Sequence, residues 1–362
     1  MLTQSENKLV QQQLKFIAKT VVEHGGTIHP ELTITHQTER LWISCSAEVD
    51  GSALLIIPDE LFIPVTHLEW AGENGVLSYT GDNSQLTPVQ QSLLDAMVSL
   101  YNATDKITQV AQRLPAQLLP DDPDLLNWLM DAQPAFELPK ITPARQFIQT
   151  RLNEKPKKND DEGKLIGYLM PLIDLLNHHP YGPKYQRTEQ GDWLIALDKT
   201  NMGSDDCYVR YGKSDSLSLT MWHGYYEPNT RYLACLDCEI QHTVLGTVKI
   251  IGTNASRRKI NAPRLLPKEQ ILTLQDLVLE REQLPALRTL LGLAVRSKLR
   301  NLNQAQAEIM ADEIIALLVG ANIEKYMALQ ALCAEQVENF PLRPMFGEVA
   351  KHQLSLLSAF KL

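Results

Sequence analysis

Cysteine is scarce in this chain, with only five among its 362 residues. An odd and scattered set of cysteines does not make a disulfide framework and is typical of a reducing compartment. The chain also lacks a stretch of about 20 apolar residues, the length that spans a bilayer. Its N-terminal residues lack the apolar core of a signal peptide. We therefore expect a cytoplasmic protein with no membrane partner.

An excess of positive charge is missing as well. The formal net charge is -9, so no broad positive field is present to attract phosphate backbones. The densest basic cluster lies at residues 155–158 and is followed at once by acidic residues, as in a solvated linker. Nucleic acid is therefore not expected as a partner.

Common nucleotide-binding and hydrolase signatures are absent, namely the P-loop, Gly-x-Ser-x-Gly and Gly-x-Gly-x-x-Gly. Cys235 and Cys238 have half of a zinc-site spacing, but no second ligand pair follows, so we interpret them as packed thiols. His178 and His179 are adjacent, and neighbouring side chains rarely face one ion. No metal site is predicted.

The first half of the chain alternates between strand and helix signals. An amphipathic helix over residues 5–24 ends at Gly25-Gly26. Short β-branched or apolar runs then predict strands at Leu32–Thr35, Leu41–Cys45 and Ala53–Ile57. Thr87-Pro88 and Thr142-Pro143 each look like an N-cap followed by proline at the first helical position, so residues 86–153 predict a helical block.

Strand signals return after a polar linker over residues 155–163, and helix signals follow them. The runs that predict strands are Trp193–Leu197, Cys207–Tyr211, Tyr232–Ile240 and Val248–Ile251. From Pro267 onward every segment predicts a helix: Leu272–Leu279, Leu284–Leu299, Ala305–Val319, Ile323–Val337 and Phe346–Phe360, with Gly320 and Pro341 as breaks.

This order predicts an α+β fold, because strands and helices are segregated along the chain. The length exceeds what one hydrophobic core usually serves, so several domains are expected. We place a β-rich domain at 1–85, a helical insert at 86–160, the second part of the β-rich domain at 161–261, and an all-helical C-terminal domain at 262–362.

Two segments carry residues that are able to serve chemistry. In the first, residues 170–185, Asn177 and His178 follow an apolar run, and a buried pair of this kind needs hydrogen-bond partners. A capped helix end with a satisfied core histidine is the alternative. In the second, residues 207–229, Tyr211 ends a short strand among other aromatic residues. The Tyr211 hydroxyl is able to serve a reacting centre. The alternative is that Tyr211 only packs its ring against the protein and leaves its hydroxyl in water. Aromatic residues also hold cations, such as an ammonium or a sulfonium.

Taken together, the two segments resemble the SET domain of protein methyltransferases. The shared pattern is an apolar run into Asp-x-x-Asn-His, a later strand ending in Tyr211-Gly212, and then Gly-Tyr-x-x-x-Asn. The resemblance is to the branch that includes the Rubisco large-subunit methyltransferase, which has a helical insert in its SET domain and a helical C-terminal substrate-binding domain. Gly25-Gly26, the run to Trp42 and residues 53–63 look like the N-terminal SET strands of that branch.

The resemblance implies a cofactor, S-adenosylmethionine, and roles for named residues. Asn177 and His178 match the pair that holds the cofactor, and Tyr211 matches the tyrosine at the methyl-transfer centre. Thr38 and Arg40 stand at the glycine positions of the Gly-x-Gly cofactor motif, so Arg40 is also placed among the cofactor-binding residues.

His223 and Tyr225 match an aromatic segment that lines the acceptor channel. The resemblance therefore implies a protein N-methyltransferase acting on lysine, with histidine as a second possible acceptor. A substrate protein would dock on the helical domain at 262–362. The alternative hypothesis is a SET-like adaptor without transfer activity, which the side chains of Thr38 and Arg40 favour. Methyl transfer needs orientation and desolvation by the protein rather than a metal or a catalytic triad.

Overall fold

A computed structural model describes residues 2–38, 40–48, 50–73, 75–138, 140–156, 165–199, 206–212, 214–252, 264–268, 271–335 and 340–360. The chain divides into two compact units. The first unit comprises Met1–Gln112 and Ile141–Gly212, and the second comprises Arg113–Lys140 and Lys213–Leu362.

The helices within the described residues are α1 (Lys8–Glu23), α2 (Pro88–Ala103), α3 (Lys106–Ala111), α4 (Pro115–Leu118), α5 (Pro123–Ala132), α6 (Pro143–Gln149), α7 (Ser216–His223), α8 (Leu284–Lys298), α9 (Gln304–Ala334) and α10 (Arg343–Ser358).

The strands within the described residues are β1 (Leu2–Ser5), β2 (Thr27–Ile28), β3 (Leu32–Gln37), β4 (Arg40–Cys45), β5 (Ala53–Ile57), β6 (Ile63–Pro64), β7 (Glu69–Glu73), β8 (Val76–Thr80), β9 (Asn153–Pro156), β10 (Leu165–Leu169), β11 (Asn177–His178), β12 (Gln186–Arg187), β13 (Trp193–Ala196), β14 (Tyr208–Val209), β15 (Tyr232–Ala234), β16 (Cys238–His242), β17 (Gly246–Ile251), β18 (Arg264–Lys268), β19 (Ile271–Gln275) and β20 (Val278–Glu280). Most neighbours pair antiparallel, and the α+β class is confirmed.

The first unit has its core between short sheets and the α1–α2 pair. Its sheets include β1-β3-β4, β12-β13-β5-β2 and the parallel pair β11-β14. On α1, Val10, Leu14, Ile17 and Val21 are buried at helical spacing, and each such side chain contributes about 1.5–3 kcal/mol by leaving water. This core supports strands β4 and β11, which carry Arg40, Asn177 and His178.

Caps confirm the predicted end of α1 and the predicted starts of α2 and α6, whereas α1 begins at Lys8 rather than at residue 5, because Ser5 belongs to β1. At the end of α1, Gly25 has a φ of 85° and the Gly26 N–H donates to the Val21 carbonyl at 2.8 Å, as in a Schellman motif. Thr87 and Gln90 form a capping box at the start of α2. At the start of α6, the Thr142 side chain accepts a hydrogen bond from the Arg145 N–H.

The second unit has its core between α8, α9, α10 and a sheet of order β16-β17-β19-β18. By length and apolar composition alone, α9 is able to cross a membrane. One face of α9, which includes Ile314, Leu318 and Tyr326, is instead buried in this core.

The helix predicted over Leu272–Leu279 is wrong, because this segment forms β19 and β20. β19 lies between β17 and β18, and β20 pairs with β15. Three partner strands satisfy the backbone of this segment, so long-range pairing overrides its local helical spacing. The region from residue 262 is therefore not all-helical.

The break predicted at Gly320 is also wrong, because α9 runs through it from Gln304 to Ala334. A glycine inside a helix costs about 1 kcal/mol relative to alanine. Buried neighbours on both sides, Val319 and Asn322, hold the helix together. The Asn322 side chain accepts from the Leu236 N–H at 2.9 Å and so joins α9 to the loop after β15.

The two units differ from the predicted domain boundaries. Residues 113–140, within the predicted insert, and residues 213–252, within the predicted second β-rich part, belong to the second unit. A buried ion pair between Asp122 and Arg343 joins the start of α5 to α10. The linker predicted at 155–163 lies outside the described residues from 157 onward.

Candidate functional site

A strained loop in the first unit leads into the Asn177-His178 pair. Leu172 is buried and has φ 65° and ψ -40°, and the Ile173 N–H donates to the Pro171 carbonyl at 2.8 Å. This is a γ-turn with positive φ, which is rare and costly for a residue other than glycine. A 3₁₀ turn (Ile173–Leu175) follows, and β11 begins at Asn177. Such strain is common where a loop serves function.

The carboxylate of Asp174 is buried beneath this loop. It accepts a hydrogen bond from the Tyr101 hydroxyl of α2, and the Arg151 guanidinium lies 3.8 Å from it. Arg151 also donates to the main-chain carbonyl of Asp174 at 2.9 Å. Burial raises the pKa of both Asp174 and Tyr101. Opposite charge and a hydrogen bond offset part of the cost of the buried carboxylate.

His178 is buried, and its ring accepts a hydrogen bond from the main chain of Tyr211. The Tyr211 N–H donates to Nδ1 of His178 at 3.0 Å, and the two ring centroids lie 5.1 Å apart. Burial lowers the pKa of His178 to about 4, and the charges of His179 and Arg210 act in the same direction. A neutral imidazole is the form that accepts at Nδ1, so the geometry and the pKa agree.

Tyr211 lies two residues beyond β14, with 37% of the residue exposed. Its hydroxyl donates to the Leu176 carbonyl at 2.7 Å. Leu176 directly precedes Asn177, and β11 and β14 pair in parallel with Asn177 opposite Tyr208. The phenol oxygen is therefore held at a fixed point beside the Asn177-His178 pair, at a surface that a ligand is able to reach.

The expectation that Asn177 and His178 are both buried is wrong for Asn177. The Asn177 side chain is exposed, whereas His178 is 7% exposed. Successive residues of a strand point to opposite faces, so one member of the pair faces the core and the other faces solvent. The capped helix end is also excluded, because the pair forms a strand.

Thr38 and Arg40 lie at the turn between β3 and β4. Thr38 has a φ of 55°, a conformation that favours glycine and is a clear outlier for a β-branched residue. The Arg40 guanidinium lies 2.6 Å from the Asp206 carboxylate and 4.7 Å above the Trp42 ring. The backbone thus adopts a glycine-like conformation at the position where the resemblance expects glycine.

His223 and Tyr225 belong to the second unit. α7 ends at His223, Gly224 follows with a φ of 67°, and the rings of His223 and Tyr225 lie 6.0 Å apart. A side chain at position 224 would meet the Arg113 carbonyl, 2.6 Å from an added Cβ. The glycine at position 224 therefore permits the close approach of the Arg113 carbonyl to the turn between His223 and Tyr225. The role of these two residues in lining an acceptor channel stays a prediction.

Three residues that support the site were missed from the sequence, namely Tyr101, Arg151 and Asp174. Asp174 is the acidic residue of the Asp-x-x-Asn-His pattern, which is the available signal. Tyr101 and Arg151 lie far along the chain from it, and no local spacing connects them.

No group of three or more His, Cys, Asp and Glu residues suited to a metal ion occurs among the described residues. Cys235 is buried, and burial raises the pKa of Cys238 to about 11. Burial therefore favours the protonated form of the Cys238 thiol.

No family model and no curated protein matches this chain. Among solved structures, it is similar to the SET domain of LSMT bound to lysine and AdoHcy, with 14% identity and a TM-score of 0.40, over 97% of this chain and 90% of that chain. It is similar to Rubisco LSMT bound to AdoMet, with 14% identity and a TM-score of 0.39, over 96% and 91%. It is also similar to Rubisco LSMT bound to sinefungin and monomethyllysine, with 13% identity and a TM-score of 0.39, over 96% and 90%. A likeness this distant carries no argument about function, which therefore rests on the site itself.

Proposed function

We propose that this chain is an S-adenosylmethionine-dependent protein N-methyltransferase, with lysine as its acceptor and histidine as the second possible acceptor. The observation that carries the proposal is the contact of the Tyr211 hydroxyl with the Leu176 carbonyl, directly beside Asn177 and His178. The sequence pattern singled out Tyr211, Asn177 and His178, and in the first unit they are neighbours.

The residues present have the chemistry that the cofactor requires. The exposed Asn177 amide offers both donors and an acceptor. The Arg40 guanidinium suits a carboxylate, which it is able to bind through two parallel hydrogen bonds. The Tyr211 ring, whose centroid lies 5.1 Å from that of the His178 ring, suits a sulfonium cation. When bound, S-adenosylmethionine supplies the methyl group that is transferred.

The protein would contribute orientation and desolvation. Donation to the Leu176 carbonyl fixes the direction of the Tyr211 hydroxyl, so its oxygen would accept a hydrogen bond from the acceptor amine. An amine must be neutral to attack, and an apolar environment lowers the pKa of an ammonium. Alignment of the reacting groups supplies most of the rate in a displacement of this kind.

The acceptor and partner are part of the same proposal. His223 and Tyr225 would line the path of the substrate side chain, and a substrate protein would dock on the C-terminal helices α8, α9 and α10. A cytoplasmic location fits a protein acceptor and unpaired thiols. Neither nucleic acid nor a membrane is part of the proposed function.

The test is binding of S-adenosylmethionine and its demethylated product to the full chain, by calorimetry and by thermal shift. A ligand at 100 times its dissociation constant stabilises the folded state by about 2.7 kcal/mol. Asn177→Ala is the matched variant: its side chain is exposed, so stability should change by less than about 0.5 kcal/mol. Weaker binding in this variant would then report on the site alone.

The second candidate function is a protein-binding adaptor without transfer activity. Thr38 favours it, because a side chain stands where the backbone is glycine-like, and so does the pairing of Arg40 with Asp206. An adaptor would show no saturable binding at millimolar S-adenosylmethionine. Saturable binding followed by methyl incorporation into a cell extract would exclude the adaptor.

A further inference from the structure

The buried group of Asp174, Tyr101 and Arg151 has no part in the proposed reaction, yet it lies under the loop that does. The Asp174 side chain is only 1% exposed and the Arg151 side chain 16%. The partners come from separate segments, since Tyr101 lies on α2 and Arg151 follows α6. A buried carboxylate is expensive to maintain, and an apolar side chain of similar volume would often stabilise a core equally well.

Arg151 contacts the main chain of the loop as well as the carboxylate. Its guanidinium donates to the Asp174 carbonyl at 2.9 Å, so it holds backbone and side chain of the same residue. The Asp174 N–H donates to the Met170 carbonyl at 3.2 Å, and the Leu176 N–H donates to the Ile173 carbonyl at 3.1 Å. These bonds fix the turn that ends at the Leu176 carbonyl.

We propose that Asp174 is a positioning residue, held by Tyr101 and Arg151 so that the strained turn sets the Leu176 carbonyl and, through it, the Tyr211 hydroxyl. Tyr211 itself would touch the reacting atoms, and Asp174 would act only through the loop. The conformational strain of Leu172, which has a positive φ, would then be offset by the hydrogen bonds and ion pair of Asp174, Tyr101 and Arg151. This inference rests on the proposed function only for the statement that Tyr211 serves the transfer.

The first measurement needs no methyl transfer. A 3-fluorotyrosine placed at position 211 reports the environment of the phenol by ¹⁹F NMR. In Asp174→Asn, which keeps the shape but removes the charge, we expect the resonance to move or to split, because the Leu176 carbonyl is no longer held in one place. Tyr101→Phe removes a single hydroxyl and should cause a smaller change of the same kind.

The matched control is Tyr79→Phe. The Tyr79 hydroxyl donates to the Asp95 carboxylate at 2.6 Å in the same unit and accepts from the Gln91 side chain, and none of these residues belongs to the loop that leads into Asn177. The control therefore removes the same kind of bond, and the resonance at position 211 should stay where it is. If Asp174→Asn does not fold, the ¹⁹F resonance at position 211 is compared between Tyr101→Phe and Tyr79→Phe. A shift in Tyr101→Phe alone would then support the positioning role of the buried group.

The second measurement is the split between kcat and KM. In folded Asp174→Asn and Tyr101→Phe, kcat should fall by about 10- to 100-fold while KM for the cofactor stays within about two-fold. An unchanged ¹⁹F resonance in the folded variants would overturn the inference and leave Asp174 a residue of stability only. Absence of cofactor binding in the wild-type chain would overturn the proposed function instead, and the ¹⁹F result would still decide the role of Asp174.

Discussion

The Tyr211 main-chain N–H donates to Nδ1 of His178 at 3.0 Å, beside the parallel strands β11 and β14. The bond requires a neutral imidazole at this nitrogen. Protonation of His178 would therefore break a contact between the two segments that carry the proposed site. The stability of this contact should therefore depend on pH.

His178 should make the protein less stable in acid. Its pKa is about 4 in the folded chain, below the ordinary value of 6.5, so the unfolded chain binds the proton more readily. The stabilisation is fully present above pH 6.5 and is lost as the pH falls towards 4. The loss should amount to about 3 kcal/mol.

Urea unfolding between pH 7 and pH 4 checks this expectation, with His178→Gln as the control. Glutamine keeps an acceptor for the Tyr211 N–H but does not titrate in this range. The variant should therefore lose less stability over the same interval. An equal loss in both proteins would show that other groups set the acid sensitivity.

Tyr211→Phe should lower the rate of methyl transfer by about 100-fold or more, because it removes a fixed polar group from the reacting centre. Cofactor affinity should change little, and stability should fall because the bond to the Leu176 carbonyl is lost. Single-turnover transfer and calorimetry measure the two effects. Tyr79→Phe, a tyrosine of the same unit with no part in the proposed site, is the control, and equal rates in both variants would remove Tyr211 from the reaction.

Thr38→Gly should stabilise the first unit. The left-handed conformation raises the energy of the folded state by about 1–2 kcal/mol for a residue with a Cβ atom. Glycine avoids this steric cost, but its greater loss of backbone entropy on folding lowers stability by about 0.5–1 kcal/mol. The net gain should be about 0.5–1 kcal/mol in urea unfolding. Thr35→Gly, within β3, is the control and should destabilise by a similar amount. A loss of stability in Thr38→Gly would show that the threonine side chain makes a contribution larger than its backbone cost.

Arg343→Ala should destabilise the second unit by about 3–5 kcal/mol, since it leaves the buried Asp122 carboxylate unpaired. Nε and Nη2 of Arg343 lie 2.9 Å and 3.0 Å from the two carboxylate oxygens of Asp122. Arg288→Ala, which breaks the more exposed pair with Asp312, should cost about 0–1 kcal/mol. Thermal unfolding of both variants checks the contrast, and similar losses would mean that burial of the Asp122–Arg343 pair carries no special weight.

Several features were predictable because their causes lie within a few residues of one another. The start of α2 follows from Thr87, Pro88 and Gln90, whose bonds close within one turn. The end of α1 follows from the glycine at position 25, which supplies the left-handed conformation. The Asp-x-x-Asn-His pattern and Tyr211 have no such local cause: the resemblance to the SET domain selected them, and in the first unit they are neighbours although 33 residues separate His178 from Tyr211.

Other features depended on partners far along the chain. The segment Ile271–Gln275 became a strand because β17 and β18 bind it on both sides. Its own residues do not encode those neighbours. Gly320 stayed inside α9 because packing on adjacent residues outweighed a cost of about 1 kcal/mol.

Local signals in the sequence account for the α+β class and the capped helices, since caps and residue spacing act over a few positions. The proposed transfer residues came from the resemblance to the SET domain and not from local bonds. Only the tertiary structure decided that His178 faces the core and Asn177 faces solvent, and that Tyr101 and Arg151 hold Asp174. These contacts join segments that are distant in the chain, and burial is set by what packs on the other side.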